Sequence, residues 1–291
     1  MATQTEITYN RKLQQIVKLV RADIDAELVP AIKQSVPEYV QQDAYKEVYH
    51  PAVLSPIPND GLPCVIHDAY WSGNFTFKDA WSDVIAAALK RLVDRWTSPF
   101  AHQQAREIAS TFVTDASTRA MRRTTAIDLY GGNGQLIDYL KAAADQNAAL
   151  ITSIPAQYLE QVSNIVIGNM RSGMRPSYIE QALVKQFGVT QRRARLIARD
   201  QHAKIQGEIT RIRQVNSGIK FFRWQTAHDE RVRPSHVAVG NRDVGYGKGV
   251  FSWDALPVVD GVPTFPGQPI NCRCVAVPVT AAQVERNKKA R

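Results

Sequence analysis

Near the C-terminal end, the stretch PGQPINCRC (266–274) places Cys272 and Cys274 one residue apart. Upstream, AHDERVRPSH supplies Asp229 and His236. Thiolate, imidazole and carboxylate are the ligand types of a tetrahedral zinc ion, so these four are candidate zinc ligands. The spacing speaks against them, because Cys-x-Cys lacks the two-residue gap of the common zinc knuckle. A cysteine nucleophile with His236 as base and Asp229 to orient it would make a thiol hydrolase, but nothing else marks an oxyanion site. A Cys272–Cys274 disulfide would close a small, strained ring and is unexpected in a reducing cytoplasm. The plainer expectation is packed cysteines, with His236 and Asp229 hydrogen-bonded to backbone, and no metal or cofactor.

A second constellation is SYIEQALVKQFGVTQRRARLIARDQ (177–201). A capping box after Pro176 opens a short helix that should stop at Gly188, and Thr190 then caps a long basic helix. Short helix, glycine turn and basic helix form the outline of a helix-turn-helix, although the second helix is longer than a usual recognition helix. Ile197, Ile205, Ile209 and Ile212 make an apolar stripe, while Arg192, Arg199, Gln206 and Arg213 share another face at heptad spacing. Arg192, Arg195, Arg199 and Arg213 are thus candidate contacts to nucleic-acid phosphates. Arg231, Arg233 and Arg273 could bind phosphates too, or bridge carbonyls and Asp229 within the fold. Trp224 and Trp253 supply core area to a segment short of helix.

The elements that must position these residues are mainly helical. Apolar spacing predicts a helix over 9–29, ended by Pro30 and Pro37, and a short one over 38–49. Four prolines between 51 and 63 make an extended connector. A capping box at 76–79 opens a helix with Trp81, Val84, Ile85, Ala88, Leu92 and Trp96 on one face. Helices over 100–129, 135–149 and 155–171 follow, broken by YGGNG at 130–134, with Gly173 as a C-cap. After Gly218 the texture changes: IKFFRWQT reads as a strand, RPSHVAV as a single helical turn, CRCVAVPV as a closing strand and ERNKKAR as a frayed basic tail. The predicted class is α+β, a mainly helical N-terminal region followed by a small α+β C-terminal module. The expected divisions are N-terminal helices (1–50), a proline-rich extended arm (51–75), a helical region (76–218) and the α+β module with its basic tail (219–291).

Composition sets the class. The chain has 291 residues, 44% hydrophobic and 22% charged, as in soluble globular proteins. Its three cysteines (Cys64, Cys272 and Cys274) are too few for a secreted disulfide framework. The N-terminal residues lack the apolar stretch of a signal peptide, and no run is long enough to span a bilayer, so a cytoplasmic site of synthesis and no membrane partner are expected. The net charge of +9 is uneven. Residues 1–150 hold 15 Lys+Arg against 17 Asp+Glu, residues 151–218 hold 10 against 4, and residues 219–291 hold 11 against 6. The basic second half suits a polyanion or an acidic protein surface.

Taken together, FRWQTAHDERVRPSH, GVFSWDALP and PGQPINCRC closing in VAVP resemble the phage Mu F-like head morphogenesis family. The pattern falls on Trp224, Thr226, Asp229, Arg231, Val232, Arg233, His236, Pro266, Gly267, Asn271, Cys272, Arg273 and Cys274. The preceding RARLIARDQ is similar to the family's helical lead-in, with Asp200 and Gln201 where Thr-Glu is usual; both are expected on an exposed helix face. The resemblance covers about 155–280. It implies a non-enzymatic minor head protein of a tailed bacteriophage or prophage, associated with the portal vertex inside the capsid and acting in head assembly and DNA packaging or delivery. Implied partners are the portal protein, capsid or scaffold proteins and packaged double-stranded DNA bound without sequence preference. The implied location is the virion, with host cytoplasm during assembly. The rival readings are a zinc- or thiol-dependent hydrolase on Asp229, His236, Cys272 and Cys274, and a DNA-binding regulator.

Overall fold

The computed structural model describes residues 3–35, 81–122, 134–172 and 174–290. The expected helix at 38–49, the proline-rich arm at 51–75, the capping box at 76–79, the break at 130–133 and the C-cap Gly173 lie outside the described residues. The architecture is α+β: long helices lead into a small sheet module near the C-terminus.

The first helix, α1 (Gln4–Asp23), does not stop at Pro30. It passes through a π turn at Ile24–Leu28 into α2 (Val29–Ser35). The Val29 amide reaches five residues back to the Ile24 carbonyl. A proline removes one amide and crowds the turn before it, and a wide turn directly ahead absorbs that defect. Ile24, Leu28 and Ile32 stay buried on one continuous face, so tertiary burial outweighs the proline.

Helix α3 (Trp81–Trp96) buries Ile85, Ala88, Leu89 and Leu92, while Val84, expected inward, is exposed. Its C-terminal end is tied to the first helical segment, where Arg95 pairs with Asp23 at 3.1 Å and with Glu27, and the Trp96 indole donates to Asp23 at 2.9 Å. Helix α4 (Pro99–Arg122) buries Ala105, Ala109, Phe112, Val113, Ala116 and Ala120.

Two breaks expected from the sequence are absent. Helix α5 (Gly134–Arg171) runs 38 residues with Pro155 inside it. Helix α6 (Pro176–Asn216) runs 41 residues straight through Gly188 and Thr190. Thr190 is no cap: it is buried mid-helix and its hydroxyl donates to the Gln186 carbonyl at 3.0 Å. A mid-helix glycine costs only about 1 kcal/mol. Burial of Ile179 and Leu183 before it, and of Ala194, Ile197 and Ala198 after it, exceeds that cost. A continuous α6 leaves no helix-turn-helix at 177–201.

The polypeptide divides into two units that interleave in sequence. One comprises residues 1–16, 99–154 and 191–291; the other comprises 17–98 and 155–190. The first unit contains the whole sheet module. There β1 (Phe221–Gln225) is the central strand, antiparallel to β2 (Val250–Ser252) on one side and to β5 (Val275–Val279) on the other. Side chains alternate across a strand, so Phe222 and Trp224 point inward while Arg223 points to solvent. With Val239, Phe251, Val259, Phe265, Cys272, Cys274 and Ala276 they form the module's core. Trp253 stacks on Phe222 at 4.0 Å between centroids. RPSHVAV makes more than one turn: α7 spans Pro234–Asn241, with Pro234 at its first position. A small hairpin, β3 (Val258–Val259) and β4 (Val262–Pro263), follows β2. The ERNKKAR segment is not frayed up to Lys289. It belongs to α8 (Ala281–Lys289), started by a Thr280–Gln283 capping box and anchored by buried Val284.

Candidate functional site

Helix α7 begins at Pro234, which presets the helical backbone, and this puts His236 in the first turn facing the core. The segment entering β5 alternates buried and exposed residues from Cys272 to Val277. That alternation gives the Cys-Arg-Cys spacing its meaning. Both cysteines point inward, and Arg273 between them points out. His236 is 2% exposed, Cys272 3% and Cys274 6%. The His236 Nδ1 stands 3.7 Å from the Cys272 Sγ and 3.5 Å from the Cys274 Sγ.

The two thiols are shifted in opposite directions. The Cys272 sulfur accepts from the Cys274 thiol and from the backbone amides of Gly267 and Cys274, which holds it below the usual thiol range. Cys274 is pushed up by that same hydrogen bond and by burial. The buried Trp224 indole N–H lies beside the Cys274 sulfur without closing a conventional bond to any acceptor. His236 Nε2 is likewise buried and unpartnered, with the Trp224 ring at 81° and 5.4 Å between centroids.

Asp229, the fourth candidate ligand, is elsewhere. Its carboxylate makes a two-pronged pair with the Arg273 guanidinium at the surface and accepts the Arg231 amide at 3.1 Å. Arg273 holds the Asp229 carboxyl below the usual carboxylate range. Among the described residues the metal-type cluster is therefore His236, Cys272 and Cys274, without Asp229. Arg233 donates to the Ile270 carbonyl. Of the two readings open for Arg233 and Arg273, the structure takes the internal one.

The turn carrying the cysteines is clamped onto α6. Gly207 on the helix meets the Pro266–Gly267 backbone so closely that a Cβ on Gly207 would sit 2.6 Å from the Pro266 oxygen. Gly267 has φ +99, and a Cβ there would lie 2.8 Å from the Ala203 oxygen. Only glycine serves at either place. Asp200 completes the clamp by accepting the Asn271 amide at 2.7 Å while facing Lys204 at 2.8 Å. Asn271 itself is left-handed, at φ 57.

Asp200 and Gln201 are not on an exposed face: they are 7% and 4% exposed. They end a buried polar chain. Tyr9 donates to the Asn147 Oδ1 at 3.0 Å, Asn147 to the Gln201 Oε1 at 3.2 Å, and Gln201 to the Asp200 Oδ2 at 3.3 Å. Burial raises the Tyr9 pKa, so its hydroxyl remains a neutral donor. The sequence does carry a signal for Gln201. It stands four residues from both Ile197 and Ile205, on the apolar stripe itself.

The heptad face of α6 is structural for half its length. Gln206 donates to the Ala116 carbonyl at 3.1 Å, and Arg213, 8% exposed, donates to the Ala120 carbonyl at 2.7 Å. Arg213 therefore does not reach a surface where DNA could lie. Arg199 is half-buried and donates to the Asn271 Oδ1 at 3.3 Å. Arg192 and Arg195 are exposed.

Residues 160–277, which contain all of α6 and the module as far as Val277, match the family model described as Phage Mu protein F like protein. Over this stretch the chain is similar to that family. The chain is also similar to an uncharacterized protein of Haemophilus influenzae, 29% identical over 292 residues that cover 96% of this chain and 54% of the relative. It thus spans about half the length of that curated relative. No solved structure matches. Among the described residues no helix is long and apolar enough to cross a membrane.

Proposed function

We propose that this chain is a structural head-morphogenesis protein of a tailed bacteriophage or prophage, built into the virion at the portal vertex inside the capsid and acting in DNA packaging or delivery. The observation that carries the reading is how the Mu F-like residues are spent. Asp229 pairs with Arg273, Arg233 caps the Ile270 carbonyl, and Gly267 and Asn271 fix the turn against α6. Such residues hold a rigid anchor in shape.

The hydrolase reading requires an accessible thiol, a histidine and an orienting acid. Here the thiols are buried and the acid is committed to Arg273. The regulator reading requires a turn between two helices at 188–190, where α6 is continuous. The partners we assign are the portal protein, with capsid or scaffold proteins as further neighbours, and packaged duplex DNA met through the exposed Arg192 and Arg195.

Electron microscopy of purified particles tests this reading. Density for the chain at the portal vertex is the expected result. A chain absent from finished particles, or spread over the icosahedral shell, would sink it.

A further inference from the structure

Three soft or borderline ligand atoms, His236 Nδ1 and the sulfurs of Cys272 and Cys274, lie within 4.8 Å of one another in the module core. A zinc ion with Zn–S near 2.3 Å and Zn–N near 2.0–2.1 Å in tetrahedral geometry places nitrogen about 3.6 Å from each sulfur. The observed separations are 3.7 and 3.5 Å. The same separations fit thiol–imidazole hydrogen bonds, so the spacing admits an ion and the surroundings of the sulfurs carry the rest of the argument.

Hydrogen-bond donors gather at the two sulfurs. Backbone amides of Gly267 and Cys274 point at the Cys272 sulfur, and the orphaned Trp224 indole N–H lies beside the Cys274 sulfur. Amide and indole donors around sulfur stabilise anionic ligands and tune the metal they hold. Two buried thiolates without a cation would be costly, whereas zinc(II) balances both charges. The turn bearing the cysteines is also fixed before any ion arrives, by the Gly207–Gly267 approach and the Asp200–Asn271 bond.

We infer that His236 Nδ1, Cys272 Sγ and Cys274 Sγ bind one zinc ion that pins α7 to the entry of β5. Binding displaces the thiol protons to solvent. The imidazole ligates through Nδ1, with its proton on Nε2. Water completes the coordination in the isolated chain. Three protein ligands leave one position open, as in catalytic sites, but all three are buried in the module core and the role we assign to the ion is structural. The inference stands apart from the head-morphogenesis reading, since either can fail alone.

The test uses the full chain, purified under reducing conditions without chelator. Metal analysis should give one zinc per chain. Chelation should expose Cys272 and Cys274 to a thiol reagent, and added zinc should protect them again. Cys272→Ser, Cys274→Ser and His236→Ala should each lose the ion, while Cys64→Ser and Asp229→Asn should keep it. Should those ligand variants fail to fold, cobalt(II) in the wild-type chain decides. Sulfur-to-cobalt charge-transfer bands with a tetrahedral visible spectrum support the site. A chain that takes up no zinc at micromolar free metal overturns the inference. So does a cobalt spectrum of nitrogen and oxygen ligands only, or zinc retained by a folded Cys272→Ser/Cys274→Ser variant.

Discussion

At Asp200 one carboxylate accepts the Asn271 amide, faces Lys204 and ends the chain of side-chain bonds from Tyr9. Removing a buried acceptor strands its donors, at about 1–3 kcal/mol. Asp200→Ala should therefore lower unfolding free energy by about 1–3 kcal/mol in urea titrations, and a loss close to zero would mean that solvent already satisfies the Asn271 amide. Asp229 makes a different kind of contribution. Its carboxyl is depressed by Arg273, so folding favours the charged form. That stabilisation is present above the usual carboxylate range and fades as pH falls through the depressed value. Asp229→Asn should be less stable than the parent near neutrality, and the two melting curves should draw together in acid. A gap that does not change with pH would show the pair to be steric only. The Asp229–Arg273 pair is one of two arrangements the residues allow, because a bidentate carboxylate–guanidinium pair is a common use of both. The burial of Asp200 is not legible in the same way. A polar residue in a polar helix segment looks solvated, and its partner is a backbone amide 71 positions away in sequence.

Helices are legible in the sequence as helices, but their ends are not. Pro30, Pro155 and Gly188 each look like punctuation, and each lies inside or at the start of continuous helical structure. Local rules set the cost of such a defect at about 1–3 kcal/mol, and the apolar face on either side outweighs it. The short strands β2, β3 and β4 carry too few residues for a period-2 pattern, so periodicity does not mark them. Glycines inside helices also separate by context. A Cβ at Gly168 on α5 meets nothing within 4 Å, whereas at Gly207 on α6 it would strike the Pro266 oxygen at 2.6 Å. Gly168→Ala should therefore stabilise by about 0.4–1 kcal/mol through the unfolded chain. Gly207→Ala should destabilise by about 1–3 kcal/mol through overpacking. Differential scanning calorimetry of the two variants checks both signs, and equal shifts would show that the turn does not press on the helix at Gly207.

Charge is the property that reaches across the whole molecule. The excess of Lys and Arg begins at about residue 151, but folding does not leave all of it free. Arg213 is spent on the Ala120 carbonyl, Arg193 donates to the Ser153 hydroxyl at 2.8 Å, Arg233 serves Ile270 and Arg273 serves Asp229. Sequence counts therefore overstate the cationic surface, and Arg192 and Arg195 are the pair from α6's basic stretch that stays exposed. If packaged DNA is the polyanion they meet, removing one arginine–phosphate pair should reduce the salt dependence of binding by about 0.9 in the slope of log K against log salt. Arg192→Ala/Arg195→Ala should weaken binding to duplexes of any sequence to a similar degree and flatten the slope by about 2. Arg213→Met should change stability while leaving the slope unaltered, because a buried guanidinium releases no counterion. Fluorescence anisotropy across a salt series separates these outcomes. An unchanged slope in the double variant would assign the exposed arginines to an acidic protein surface, and the portal would then be the first partner to test against them.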